Sequence, residues 1–337
     1  MKGKVGTAVI GCGIFGSIHA EAYSQHPVSE LLWVCDIDEK KAKALGEKFS
    51  CKWTTKPEDI ADDVNVKVVS VATPDFAHYE PAMLMLSKGK NVLVEKPMAT
   101  STREAEEMAK EAERKGIFLM VDFHNRFNPP FNEAKKAIED GRIGKPLMAY
   151  ARLSNSLYVP LKMLSWSGKS GPHWFLMPHI VDLTLWYFNR KPKSVYARGH
   201  KGILSSQGID TYDCIQAIIS FDEGFATLES SWILPDSAPS IVDFKFQVIG
   251  KNGKMEMEGT RQGIEIASEK FAYPFVNDKR ELYGEIWGFV YIPIWYFLNC
   301  VAKGEKPKIT PEEGVMVTKV IEAIENSLNM GKEVDIT

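Results

Sequence analysis

Three glycines, Gly11, Gly13 and Gly16, in the run Val9-Ile10-Gly11-Cys12-Gly13-Ile14-Phe15-Gly16, have the spacing that lets a backbone come up against a phosphate. Gly11 permits a tight turn, Gly13 removes a Cβ from the path of a pyrophosphate, and Gly16 lets a following helix pack close. The N–H groups and positive dipole of a helix starting there would face the phosphates. Asp36, twenty residues past Gly16, can accept hydrogen bonds from both ribose hydroxyls of an adenosine. Its charge would repel a 2′-phosphate, and Ile37-Asp38-Glu39 brings no arginine to offset that, so NAD is favoured over NADP. Ile14 and Phe15 complete the turn. Phe15 either lies against the nicotinamide-ribose end or stands as an exposed aromatic at the helix start.

Such a turn must be held between a buried strand and a helix, and the flanking pattern supplies both. Val5 to Ile10 is a continuous apolar run, and Ser17-Ile18-His19-Ala20 opens a helix. Strand patterns recur at Leu31 to Cys35, near Lys52, at Val66 to Val71, at Asn91 to Val94 and at Ile117 to Val121, with helical stretches between them. Six strands alternating with helices predict an α/β Rossmann domain, a doubly wound parallel sheet, over residues 1–122. Ligands on such sheets lie beyond the carboxyl ends of the strands. From residue 123 to 337 strand-like runs dominate: Leu147 to Leu153, Ser194 to Gly199, Cys214 to Phe221, Phe225 to Trp232, Val242 to Ile249 and Gly253 to Met257. Turn signals at Asp222-Glu223-Gly224 and Lys251-Asn252-Gly253 predict hairpins. The expected second domain is α+β, with an open, mainly antiparallel sheet for substrate binding and self-association. Helices over 285–302 and 311–330 close the chain.

Two further constellations are Val71-Ala72-Thr73-Pro74-Asp75-Phe76-Ala77-His78 and Asn91-Val92-Leu93-Val94-Glu95-Lys96-Pro97. With the glycine turn, and with Phe123-His124-Asn125-Arg126-Phe127, Gly141-Arg142-Ile143-Gly144-Lys145-Pro146 and His179-Ile180-Val181-Asp182-Leu183, the chain resembles the Gfo/Idh/MocA family of NAD(P)-dependent oxidoreductases. The tail, Ser327 to Val334, resembles that of the family as well. The resemblance implies catalysis on sugars, sugar derivatives or cyclitols. It places Lys96 at both the nicotinamide and the reacting hydroxyl, with Ala72, Thr73, Pro74, His78 and Glu95 along the cofactor. An ammonium beside a carbinol oxygen stabilises the negative charge that grows there as hydride leaves, and burial would lower the pKa of the lysine.

The resemblance also makes His179 the proton carrier, since imidazole titrates near neutral pH. The family pattern has an aspartate four residues earlier and a glycine two earlier, and here these are Phe175 and Met177. His173 or Asp182 could take the place of the aspartate, or His179 could be a core histidine. A metal site built from His173, His179 and Asp182 lacks a further ligand, so no metal is expected. Arg126 either holds a substrate oxygen or braces the domains. Trp166, with Trp174 and Tyr158, offers aromatic faces to a sugar ring or fills the core. His78 braces the cofactor loop.

The composition, 45% hydrophobic and 25% charged with a net charge of -3, gives no basic field for nucleic acid or anionic membrane. Met1 to Ile10 runs straight into the turn, unlike a secretory leader. Five scattered cysteines suggest neither disulfides nor a zinc ribbon. A cytoplasmic homo-oligomer, a dimer or tetramer, is expected. The reading is an NAD-dependent dehydrogenase for a secondary alcohol of a carbohydrate or cyclitol. Its rivals are an NAD-retaining, redox-assisted glycosidase and a non-catalytic NAD-binding sugar sensor or regulator.

Overall fold

The computed structural model of the chain describes residues 3–336. In chain order the first elements are β1 (Val5–Ile10), α1 (Ile14–Gln25), β2 (Ser29–Cys35), α2 (Glu39–Phe49), β3 (Lys52–Thr54), α3 (Pro57–Asp62) and β4 (Val66–Val71). There follow α4 (Tyr79–Ser87), β5 (Asn91–Val94), α5 (Thr102–Lys115), β6 (Leu119–Val121), α6 (Pro129–Glu139) and β7 (Pro146–Asn155). Next are α7 (Pro172–Phe175), α8 (Met177–Phe188), β8 (Pro192–His200), β9 (Cys214–Phe221), β10 (Phe225–Ser231), β11 (Val242–Gly250) and β12 (Gly253–Glu258). The chain closes with two small hairpins, β13 (Ile266–Ala267) with β14 (Phe271–Ala272) and β15 (Arg280–Leu282) with β16 (Glu285–Trp287), then α9 (Ile292–Lys303), α10 (Pro311–Met330) and β17 (Val334–Asp335).

Two compact units divide the chain. One holds the residues up to His124 together with Lys279–Thr318, the other Asn125–Asp278 and the residues from Lys319 on. Residues 279–318, expected in the second domain, pack with the first unit. There Trp295 donates from Nε1 to the Ala22 carbonyl at 2.9 Å, and Tyr291 donates to Glu21 Oε2 at 2.7 Å. Both contacts draw α9 onto α1.

In the first unit the six strands run parallel in the order β3-β2-β1-β4-β5-β6. The central strands are covered on both faces, as an all-parallel sheet requires: Val66, Val68, Val69, Val71, Val92, Leu93 and Val94 are wholly buried. That is why their sequences read as apolar runs rather than alternations. Helix starts follow local chemistry. Asp38 caps α2, accepting from the Lys40 and Lys41 amides, and Gly116 ends α5 in the left-handed conformation. Against the expectation of a helix from residue 285, Glu285–Trp287 pairs with Arg280–Leu282, and the helix begins at Ile292.

In the second unit seven strands run β12-β11-β7-β10-β9-β8-β17, all antiparallel except the β10–β7 pair. Alternation is clear in β9, where Ile215, Ala217 and Ile219 are buried and Gln216 and Ile218 exposed. One face is therefore packed and the other open. Helix α8 covers the packed face. Phe188 stacks on Phe221 at 4.5 Å and Tyr187 meets Phe246 edge-on at 5.3 Å. Each such buried ring contributes about 1.5–3 kcal/mol.

Candidate active site

In the first unit the glycine turn follows β1. Gly11 has φ +95, and a Cβ there would meet the Ala72 carbonyl oxygen at 2.5 Å. A Cβ on Gly16 would fall 1.7 Å from the Gly11 carbonyl oxygen, so the helix can approach the strand only as glycine. A Cβ on Gly13 would meet nothing within 4 Å; the space in front of it is open to a ligand. Gly13 opens α1 without a side-chain cap, and no acidic residue stands in the first turn. The helix dipole and its leading N–H groups are thus left for an anion. Asp36 Oδ2 accepts the Cys12 amide at 2.7 Å and Oδ1 the Asp38 amide at 2.9 Å. These bonds fix the carboxylate beside the turn and leave lone pairs for two hydroxyls. The cradle fits an adenine dinucleotide.

The loop after β4 begins at Ala72, whose N–H donates to the Ile10 carbonyl at 2.8 Å. Thr73 donates to the Ala77 carbonyl at 2.8 Å. His78 spans from the Thr73 carbonyl (Nε2, 2.9 Å) to that of Pro97 (Nδ1, 2.6 Å), so it ties the loop to the residue after Lys96. Burial pulls its pKa below the usual histidine range, and a neutral ring donates to one carbonyl at a time.

Lys96, at the carboxyl end of β5, is 6% exposed. Burial pushes its pKa below the ordinary lysine range, against the pull of Glu95, Asp75 and Asp122. Glu95 Oε2 accepts the Lys96 amide at 3.2 Å, and Oε1 lies 3.1 Å from His19 Nε2. Burial alone would raise the Glu95 carboxyl. The hydrogen bond from His19, helped by the Lys96 ammonium, outweighs it, and the pKa is lowered. Asp122 is the opposite case: burial, reinforced by Glu95, holds it well above the usual carboxylate range. His124 stacks on Phe15 at 5.9 Å and tilts against Phe289 at 5.8 Å, and burial lowers its pKa to about 4. Among the described residues, His19, Glu95 and Asp122 bring donor atoms within 4.8 Å of one another, as a metal site would. His19 Nε2 hydrogen-bonds Glu95 Oε1 at 3.1 Å, and Asp122 Oδ2 lies 3.5 Å from the same nitrogen. His19 lies three residues past Gly16 on α1; that spacing is the signal in the sequence that could have drawn it into the site.

In the second unit His179 is in the first turn of α8, half-buried, with Asn125 Nδ2 3.1 Å from its Nδ1. An amide N–H donated to Nδ1 puts the ring proton on Nε2; the amide turned over presents Oδ1 and moves the proton to Nδ1. Of the two residues expected to replace the family aspartate, Asp182 holds Arg126, at 3.0 and 3.1 Å from Nε and 2.6 Å from Nη2. His173 Nε2 is 3.4 Å from Glu325 Oε1. Asn125, the partner found on Nδ1, stands in the sequence beside His124 and Arg126 but gives no local sign of its contact with His179. Arg126 is 7% exposed and lies 5.3 Å from the Trp186 ring. Phe175 packs edge-on against Trp166 at 5.8 Å and beside Trp232 at 5.7 Å.

A parallel sheet in this order, a glycine turn with its acidic residue, and a buried lysine at a strand end define a dinucleotide-binding oxidoreductase domain. Comparison with known proteins makes the family definite. Residues 5–123 match the model of the oxidoreductase family with NAD-binding Rossmann fold, and residues 131–256 that of the GFO/IDH/MocA C-terminal domain. The chain belongs to the Gfo/Idh/MocA family. It is 27% identical to scyllo-inositol 2-dehydrogenase (NAD(+)) of Bacillus subtilis strain 168, over 100% of this chain and 97% of that protein. It is 24% identical to myo-inositol 2-dehydrogenase of Thermotoga maritima, over 97% of each. The crystal structure of scyllo-inositol dehydrogenase from Lactobacillus casei, with bound NAD(H) and scyllo-inositol, matches the fold with a TM-score of 0.85 at 15% identity, over 99% of each chain.

Proposed function

We propose that this chain is an NAD-dependent dehydrogenase exchanging a hydride between a secondary alcohol of an inositol or sugar and the nicotinamide. The observation that carries the reading is Lys96, buried at the end of β5 beside a paired Glu95 and in the same domain as the glycine turn and Asp36. The inositol and sugar dehydrogenases among its relatives supply the substrate class. When bound, the nicotinamide dinucleotide supplies the hydride acceptor. Gly11, Gly13, Ile14, Phe15, Gly16 and Asp36 would hold it, with Ala72, Thr73, Pro74, His78, Glu95 and Lys96 on its nicotinamide side. Lys96, as the ammonium, binds the reacting hydroxyl and stabilises the charge developing on its oxygen. His179 removes the hydroxyl proton at Nε2 once its Nδ1–H is donated to the Asn125 amide oxygen. Trp166 and His173 contribute to the substrate surface, and Arg126 fixes the residues around it.

No helix of the described residues is long and apolar enough to cross a membrane, and we place the enzyme in the cytoplasm. The open face of the second sheet exposes Met148, Ile218 and Phe225, which supports self-association. Phe175, packed between two tryptophans where the family pattern has an aspartate, favours a second reading as an NAD-binding sugar sensor.

Nicotinamide absorbance decides between them on a panel of inositols, sugars, sugar acids and glycosides with NAD and NADP. Formation of NADH from an inositol or sugar, abolished by Lys96→Ala, is the expected result. Tight NAD binding with no turnover would shift the reading to a sensor. Glycoside cleavage without net NADH would shift it to an NAD-retaining glycosidase.

A further inference from the structure

A directional chain of hydrogen bonds runs beneath Lys96 and begins far from it in the sequence. Tyr23 on α1 is wholly buried, and its hydroxyl is 2.7 Å from Ser70 Oγ on β4. Ser70 Oγ is 2.9 Å from His19 Nδ1, and His19 Nε2 is 3.1 Å from Glu95 Oε1. Glu95 Oε2 accepts the backbone N–H of Lys96 at 3.2 Å. A carboxylate oxygen only accepts, so His19 donates from Nε2, and in the neutral ring Nδ1 is then the acceptor. Ser70 then donates to Nδ1, and Tyr23 donates to Ser70. Every donor in the chain has one acceptor with His19 neutral, and all of these residues are buried.

We propose that His19 is a positioning residue for Lys96. Anchored on Ser70, it holds the Glu95 carboxylate in place against Lys96, and so sets the field in which the lysine carries its proton. The inference rests on the reading of Lys96 as the hydroxyl-binding ammonium.

Other charged groups face the same spot and make the role of His19 specific. Asp75, in the turn after β4, and Asp122 and His124, after β6, act on Lys96 together with Glu95. Asp122 Oδ2 is 3.5 Å from His19 Nε2, but its Oδ1 has no hydrogen-bond partner. Two carboxyls this close do not both ionise readily. The ring proton of His19 is closer to Glu95 and selects it as the ionised member, leaving Asp122 as the neutral acid. Without that proton the negative charge is free to move to Asp122 or be lost, and Lys96 loses the carboxylate that does most to raise its pKa. A lysine deprived of such a partner in a buried site gives up its proton at lower pH.

The test is the titration of Lys96 in the full chain without substrate, followed by NMR of 15N-labelled lysine, with the signal assigned by Lys96→Arg. Glu95→Gln removes the charge with little change of shape. His19→Asn can still reach Ser70 but is too short to reach Glu95. His19→Gln can accept from Ser70 and donate to Glu95. Both Glu95→Gln and His19→Asn should lower the Lys96 midpoint by about one pH unit or more, and His19→Gln should leave it close to wild type. The alkaline limb of the kcat profile should move by the same amounts. A Lys96 midpoint unmoved by Glu95→Gln, or moved by Glu95→Gln but not by a folded His19→Asn, overturns the proposal. Full turnover in Lys96→Ala would instead overturn the catalytic reading, and the NMR titration would still decide the positioning role.

Discussion

Arg126→Met is the most informative single perturbation of the second unit, because Arg126 has two competing roles. Its guanidinium makes three contacts of 2.6–3.1 Å to Asp182, and the two side chains are 8% and 1% exposed. Methionine fills the volume of the arginine stem but leaves the Asp182 carboxylate buried without its counter-charge. Removing one partner of a buried pair costs about 3–5 kcal/mol, far more than an exposed pair contributes. In a domain of this size that corresponds to a melting temperature lower by on the order of 10 °C. Urea and thermal unfolding, followed by tryptophan fluorescence, would measure it. Arg126→Met combined with Asp182→Asn should be less destabilised than the two single changes added together, by about 2 kcal/mol. Kinetics below the transition should show a KM changed less than the stability. An Arg126→Met protein that melts with the wild type while its KM for polyol rises more than tenfold would refute the reasoning. It would make Arg126 a substrate ligand.

Asp36→Ser removes the charge that faces the ribose and should shift the NAD-to-NADP preference at least tenfold toward NADP, about 1.4 kcal/mol, in paired kcat/KM measurements. Asn125→Asp puts a carboxylate against His179 Nδ1 and should stabilise the imidazolium. The acid limb of the kcat/KM profile should then move up by about one pH unit, whereas an unmoved limb would remove His179 from the acid–base role. His124 supplies an acid instability whose sign is fixed: its folded pKa is about 4, below the ordinary 6.5. Below pH 6.5 the unfolded chain takes up a proton that the folded chain refuses, so its stabilising contribution is full above 6.5 and is lost as the pH falls toward 4. The loss is about 3 kcal/mol, and urea unfolding of His124→Gln across that range should lack it.

The first sheet was legible because its strands are buried on both faces, and continuous apolar runs such as Val66 to Val71 leave little else to read. The glycine turn was legible for a steric reason, the 1.7 Å approach that a Cβ on Gly16 would make to Gly11. What failed was long-range. The long apolar run from Ile286 to Val301 reads as one helix, yet Tyr283 and Gly284 have φ of +55 and +86 and turn Glu285–Trp287 back as a strand. The return of 279–318 to the first unit depends on groups such as the Ala22 carbonyl, whose availability no local pattern announces. The same holds for the candidate site. Motifs alone single out Lys96 and His179 as candidates. Glu95 is named from its motif too, but its tie to His19 and that of His179 to Asn125 are not, because the partners are 76 and 54 residues apart.

The central claim, hydride transfer between a polyol carbon and nicotinamide, is tested most directly by isotope. The full chain is incubated with NAD and an inositol or sugar deuterated at its carbinol carbons, and the nicotinamide is recovered for mass spectrometry. Singly deuterated NADH is expected from wild type and none from Lys96→Ala. NADH without deuterium, or equal labelling in the variant, would contradict it.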